Sequence, residues 1–223
     1  MQSFRTWLLE LARQFMLEEG SEDAAHDYDH LVRVIALADR IQVSEGGNVP
    51  TIWAAVALHD IGQERERRYG GDHALIGAAL AEELLKDTPF PQEYIPVVQQ
   101  AIREHRMTGG IIPQTLEGRI LYDADKLDCL GAIGIGRLYC ITGRYNQKVY
   151  SPIPDDIPEP IDPQMIRRLR RRPDYSPSIE FELLFGNLPE RMTTNTGREM
   201  AQERYDYMKE FFTRLRWEAE GKL

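Results

Sequence analysis

Apolar residues along most of this 223-residue chain recur at intervals of three and four, the spacing that gathers them on one face of an α-helix. Phe4, Trp7, Leu8, Leu11 and Phe15 keep that spacing between charged residues from Met1 to Glu19. They predict a packed amphipathic helix and lack the continuous apolar core of a signal peptide. Leu31, Val34, Ile35, Leu37, Ala38 and Ile41 predict a helix that Asp27 or Asp29 can cap and that Gly46 and Gly47 end. The next follows Pro50 and runs through Trp53, Ala54, Val56, Ala57 and Leu58 to His59 and Asp60, stopping near Gly62. Asp72 can cap a helix from about His73 to Lys86 that Pro89 and Pro91 break, and Pro96 opens another that reaches His105 and ends near Gly109 and Gly110. From about Leu116 to Ile141 a single helix is expected, with Gly131, Ala132, Gly134 and Gly136 permitting close helix packing.

Alternating β-branched and aromatic runs bounded by hairpin turns are missing, so the fold class is all-α. Pro152, Pro154, Pro158, Pro160 and Pro163 mark an irregular excursion among acidic residues. Met200, Tyr205, Met208, Phe211, Phe212 and Leu215 then place a closing amphipathic helix over Gly197 to Leu223. A single domain over 1–223 is expected, with its core at about 26–142, the excursion at 143–196 and the closing helix at 197–223.

Hydrophobic residues make up 42% of the chain and charged ones 28%, as in ordinary globular proteins, so a metal would serve function and not folding. Cys129 and Cys140 form no CxxC pair and no disulfide framework, which points to a reducing compartment and so to the cytoplasm. No run approaches the roughly 18 apolar residues of a spanning helix, so no membrane association is expected. A formal net charge of −9 argues against a nucleic-acid partner; oligomeric state is not set by any of these features. The run Arg167, Arg168, Arg170, Arg171 and Arg172 reads as a solvated face, with a clamp on polyphosphate as the alternative.

All five histidines, His26, His30, His59, His73 and His105, lie in the first half, each near a carboxylate or a helix end. His26 and His30 are one helical turn apart. Asp60 ends an otherwise apolar helix, where an unpaired buried carboxylate is costly and a cation removes the cost. Between Tyr122 and Asp128 stand three acids and one lysine. Asp125 is placed to ligate a metal while Asp128, three residues on, orients Lys126 or another ligand.

These motifs resemble the HD superfamily of metal-dependent phosphohydrolases, whose signature is a His, a His-Asp pair and a distant Asp. His26-Asp27-Tyr28-Asp29-His30-Leu31-Val32-Arg33-Val34 is similar to the HDxxHxxRV opening of one bacterial subgroup, and Ala57-Leu58-His59-Asp60-Ile61-Gly62 to its central motif. Tyr122-Asp123-Ala124-Asp125-Lys126-Leu127-Asp128 with Gly131-Ala132-Ile133-Gly134-Ile135 is similar to its DADRLDxxGAIGI segment. The resemblance runs from about His26 to the C-terminus. It implies an HD-domain helical bundle in which His30, His59, Asp60 and Asp125 hold one divalent cation, with Mn, Fe, Co, Ni, Mg and Zn all compatible. It further implies a small phosphate substrate, a nucleotide among the candidates, cleaved at a phosphoanhydride or phosphoester by attack of a metal-bound water. Asp60 and Glu64 are the catalytic candidates. Gln63 stands where relatives often carry an acid or a lysine, and it cannot act as a base. Arg33, His73, His105 and Lys126 are candidates for the substrate phosphate, with His26 and Asp128 supporting the ligands. Two alternatives stay open: an HD-fold di-iron oxygenase with His73 and His105 as extra ligands, and a metal-containing ligand-binding module without turnover.

Overall fold

The computed structural model describes residues 2–20, 28–106, 111–154 and 168–223, and its regular elements there are all helical. In chain order they are α1 (Gln2–Glu18), α2 (Tyr28–Glu45), α3 (Val49–Leu58), α4 (Gln63–Tyr69), α5 (His73–Leu85), α6 (Ile95–Glu104), α7 (Leu116–Asp128), α8 (Gly131–Arg144), α9 (Pro177–Glu180) and α10 (Asn195–Ala219). A short 3-10 turn, Gln92–Tyr94, leads into α6, and a π-helical turn, Phe181–Phe185, continues α9. Among the described residues no helix is long and apolar enough to cross a membrane.

Contacts divide the chain into two compact units, Met1–Asp128 with Met192–Gly197, and Cys129–Arg191 with Arg198–Leu223. In the first unit α3 is the central rod. Every residue from Thr51 to Leu58 is buried, and the helix packs on α1, α2, α6 and α7. That all-round burial follows from its composition, since Ile52, Trp53, Ala54, Ala55, Val56, Ala57 and Leu58 leave no polar face. Asn48 caps it by accepting from the Thr51 amide at 3.0 Å and the Thr51 hydroxyl at 2.7 Å. Around the rod α2 pairs with α7 and α5 with α6, burying Leu31, Ile35, Ile41, Ile102, Ile120 and Leu121. Each such side chain contributes about 1.5–3 kcal/mol. Asp123 on α7, fully buried, accepts from the amides and hydroxyls of Thr193 and Thr194 at 2.6–2.9 Å and so ties residues 192–197 to this unit.

The second unit contains a small core of Leu169, Tyr175 and Ile179. Phe181 stacks on Tyr205 and Phe212, with ring centroids 5.3 and 4.8 Å apart. Within the arginine run, Arg170 pairs with the buried Glu180, which also accepts from the Tyr175 hydroxyl, and Arg172 pairs with Asp174 at 2.9 Å. Two of these guanidinium groups are therefore engaged by acids of their own unit, while Arg167 lies outside the described residues.

Three expectations change. The helix foreseen over Leu116 to Ile141 is two, because Leu130 is extended (φ −112°, ψ 161°) and Gly131 takes φ +74°, a left-handed conformation that favours glycine. Gly131 thus breaks the helix, and a Cβ there would also come within 3.2 Å of the Arg204 side chain, whereas Gly136 has nothing within 4 Å of where a Cβ would sit, so close packing does not explain Gly136. The second change is α4, which the apolar pattern misses because Gln-Glu-Arg-Glu-Arg-Arg has no apolar period. Thirdly, the described part of the excursion is partly helical, and the closing helix starts at Asn195, two residues before Gly197.

Candidate metal centre

Two helices of the first unit end in the same local device. The last carbonyls of any helix lack intrahelical partners. His59, just past α3, donates its Nδ1 proton to the Val56 carbonyl at 2.8 Å, and His105, just past α6, donates its own to the Ile102 carbonyl at 2.6 Å. A carbonyl can only accept, so both rings carry a proton on Nδ1, and each presents a lone pair at Nε2 when the ring is neutral. His30, on the first turn of α2, donates Nδ1–H to Asp128 Oδ2 at 2.7 Å, across 98 residues of sequence. Its Nε2 likewise faces inward, and all three rings are buried.

The inward atoms converge. His30 Nε2 and His59 Nε2 lie 3.4 Å apart. Asp60 Oδ2 is 3.3 Å from His59 Nε2 and 3.8 Å from His30 Nε2, and Asp125 Oδ1 is 3.7 and 3.6 Å from the same two atoms. Lone pairs and carboxylate oxygens repel unless a proton or a cation sits among them, and mixed imidazole and carboxylate donors suit a divalent first-row metal. His30, His59 and Asp125 form one group with ligand atoms within 4.8 Å of one another, and His59, Asp60 and His105 form a second. The donor set fits a cation.

Electrostatics agree with that reading. Burial pushes the His59 pKa down, but Asp60 and Asp125 overcome it and hold the ring up at about 10; without a cation these acids keep a proton on His59. Burial raises the Asp125 pKa, yet Lys126, His59 and His30 hold it well below the usual carboxylate range. Burial lowers that of His105, which keeps the ring neutral at physiological pH.

Asp60 faces two ways. Its Oδ1 lies 3.6 Å from His105 Nε2 and 3.8 Å from His73 Nε2, opposite the oxygen that meets His30 and His59. Arg33 donates to Asp128 at 2.7 and 3.0 Å. Buried Lys126 bonds Asp125 and lies 5.3 Å from the centroid of the Tyr122 ring. Glu64 is buried against Arg67 and Arg68, the latter at 2.8 Å, so its carboxylate is held by α4's own arginines. His26 lies outside the described residues. Sequence reasoning used Gly62 only as a helix stop and a motif position and passed over Gly77. A Cβ on Gly62 would come within 2.7 Å of the Gly77 nitrogen, and one on Gly77 within 3.3 Å of the His59 carbonyl oxygen, so the turn after His59 lies directly on α5. The signal was two glycines flanking the His-Asp pair and His73. Glu66, which accepts from His73 Nδ1 at 2.7 Å, was hidden among the charges of α4.

Residues 27–130 match the HD domain family, and the solved structures similar to this chain include HD-superfamily hydrolases. Similar solved structures span nearly its whole length. A predicted HD-superfamily hydrolase from an uncultured Thermotogales bacterium is 29% identical with a TM-score of 0.65, covering 96% of this chain and 91% of its own. An HD-superfamily hydrolase from Bacillus thuringiensis is 25% identical with a TM-score of 0.68, covering 98% of each. Bacillus subtilis YpgQ, solved in complex with ADP, is 24% identical with a TM-score of 0.65, covering 92% of this chain and 95% of its own.

Proposed function

We propose that the protein is a metal-dependent phosphohydrolase that cleaves a phosphoanhydride or phosphoester bond of a nucleotide or a related small phosphate, with His30, His59, Asp60 and Asp125 holding the cation. The observation that carries this reading is the convergence of those four side chains with the imidazole protons of His30 and His59 directed outward. A divalent cation bound there lowers the pKa of a water and neutralises charge on a phosphoryl oxygen. The surrounding residues do the positioning. Asp128 and the Val56 carbonyl lock the two rings in the ligand tautomer. Lys126 offsets the charge of Asp125 at the edge of the centre. Hydrolysis joins the water oxygen to phosphorus, breaks the bridging P–O bond and leaves one proton to be held. Asp60 Oδ1, between His73 and His105, is the oxygen we assign to it, since Glu64 is engaged by Arg67 and Arg68. YpgQ shares the fold and was solved with ADP, which makes nucleotides the first ligands to test.

The test is a product-identified screen of nucleoside mono-, di- and triphosphates with Mn, Co, Ni and Mg. Metal-dependent release of phosphate or pyrophosphate, lost in Asp125→Ala, supports the reading; a tightly held cation without turnover of any of them favours a ligand-binding module. A second reading rests on Asp60 alone, whose two oxygens face two pairs of imidazoles. Two irons per chain, with oxygen-dependent consumption of an organic substrate, would make the protein an oxygenase.

A further inference from the structure

The centre is flanked by two supports built alike. On one side Arg33 bonds Asp128, Asp128 accepts from His30 Nδ1, and His30 Nε2 faces Asp60 Oδ2. On the other, Arg106 lies 3.7 Å from Glu66 Oε1, Glu66 Oε2 accepts from His73 Nδ1 at 2.7 Å, and His73 Nε2 faces Asp60 Oδ1. Asp72 ties the second support to its helix, capping α5 through the Ala74 amide at 2.8 Å while pairing with Arg106 at 2.8 Å. A neutral imidazole whose Nδ1–H donates to a carboxylate offers a lone pair at Nε2. His105 is held in the same state by the Ile102 carbonyl. The face made of Asp60 Oδ1, His73 Nε2 and His105 Nε2 therefore consists of acceptors.

We propose that Glu66 is a positioning residue of the centre: by accepting the Nδ1 proton of His73 it fixes the tautomer whose Nε2 lone pair faces Asp60, so that this face receives a hydrogen-bond donor, the attacking water, and turns away a phosphate oxygen. Only the identity of that donor rests on the hydrolase reading; the tautomer does not. The assignment revises the expectation that His73 neutralises phosphate, because a lone pair repels an anionic oxygen.

The test uses the full chain and two variants, Glu66→Ala and Glu66→Gln. Glutamine keeps a side-chain oxygen that can accept the same proton without the charge. Long-range proton–nitrogen NMR of the imidazoles in metal-free protein at about pH 8, above the ordinary imidazole range, reads the tautomer directly. His73 is expected as the Nδ1–H tautomer in the wild type and in E66Q, and as a mixture in E66A. With ATP and Mn as probes, E66A is expected to lower kcat by roughly 10- to 100-fold with KM changed by less than about threefold, and E66Q to recover most of that loss. An unchanged His73 tautomer in E66A overturns the proposal, as does a raised KM with kcat intact, which would place His73 on the phosphate. Should E66A fold poorly, E66Q decides: a kept tautomer with recovered kcat supports the role, and loss of either overturns it. If the wild type leaves ATP untouched while the tautomer responds to E66A, the positioning role stands and the nucleotide reading falls.

Discussion

Replacing Asp128 separates an oriented ligand from a merely packed one. The side chain is 1% exposed, and its hydrogen bonds include those to His30 Nδ1 at 2.7 Å, Arg33 Nε at 2.7 Å and Arg33 Nη2 at 3.0 Å. In Asp128→Asn one carboxylate oxygen becomes an amide nitrogen. Whichever way the amide is turned, its N–H meets a donor, either Arg33 Nε–H or His30 Nδ1–H. At least one charge-assisted bond of about 1.5–3 kcal/mol is lost. Asp128→Ala removes these bonds and strands the buried His30 N–H, for about 3–5 kcal/mol, or about 2–4 °C of Tm per kcal/mol in a chain of this size. The ligand itself loses its fixed tautomer, and Mn affinity is expected to fall roughly 10- to 100-fold, or about 1.4–2.7 kcal/mol. Competition against a chromophoric chelator measures the affinity, and thermal melts the stability. A Tm drop of several degrees with Mn affinity held within about threefold would refute the orienting role and leave Asp128 as a brace between α2 and α7.

Three further outcomes are expected. With no cation bound His59 is held up at about 10; a raised folded-state pKa gives stability that is full below the ordinary value of about 6.5 and lost as the pH climbs through about 10. Because the cation needs the neutral ring, Mn should displace about one proton at pH 7–8 and bind more tightly as pH rises; calorimetry in buffers of different ionisation heat reads this, and zero proton release refutes it. Gly62→Ala drives a Cβ to 2.7 Å from the Gly77 nitrogen, so α5 must shift at about 1–3 kcal/mol. Both Tm and Mn affinity should fall, and a wild-type value for both would show that the turn has slack. His105→Ala should slow turnover yet keep the cation, while Asp125→Ala should lose it; equal metal loss in the two, by elemental analysis, would move His105 into the ligand set.

Much of this molecule is written in short-range pattern. The period of three and four along α1, α2, α5 and α6, the continuous apolar run of α3, the Asp72 cap and the opening Pro96 each depend on neighbours within a turn or two, and such signals survive in one dimension. So does the clustering of histidines near carboxylates, which narrowed the candidate centre to a few residues before any geometry. The break at Gly131 was not legible, since a glycine among small residues reads alike in a helix and at φ +74°. Nor was α4, too short and too charged to show a period. The pairing of the supports lay furthest from view. That Asp128 holds His30 across 98 residues, that Arg33 turns to Asp128, and that Glu66, not Glu64, reaches an imidazole are decided by how α2, α4, α5 and α7 are rotated about their axes. Those rotations are set when apolar faces interlock on α3, and only that packing determines which carboxylate accepts from which imidazole.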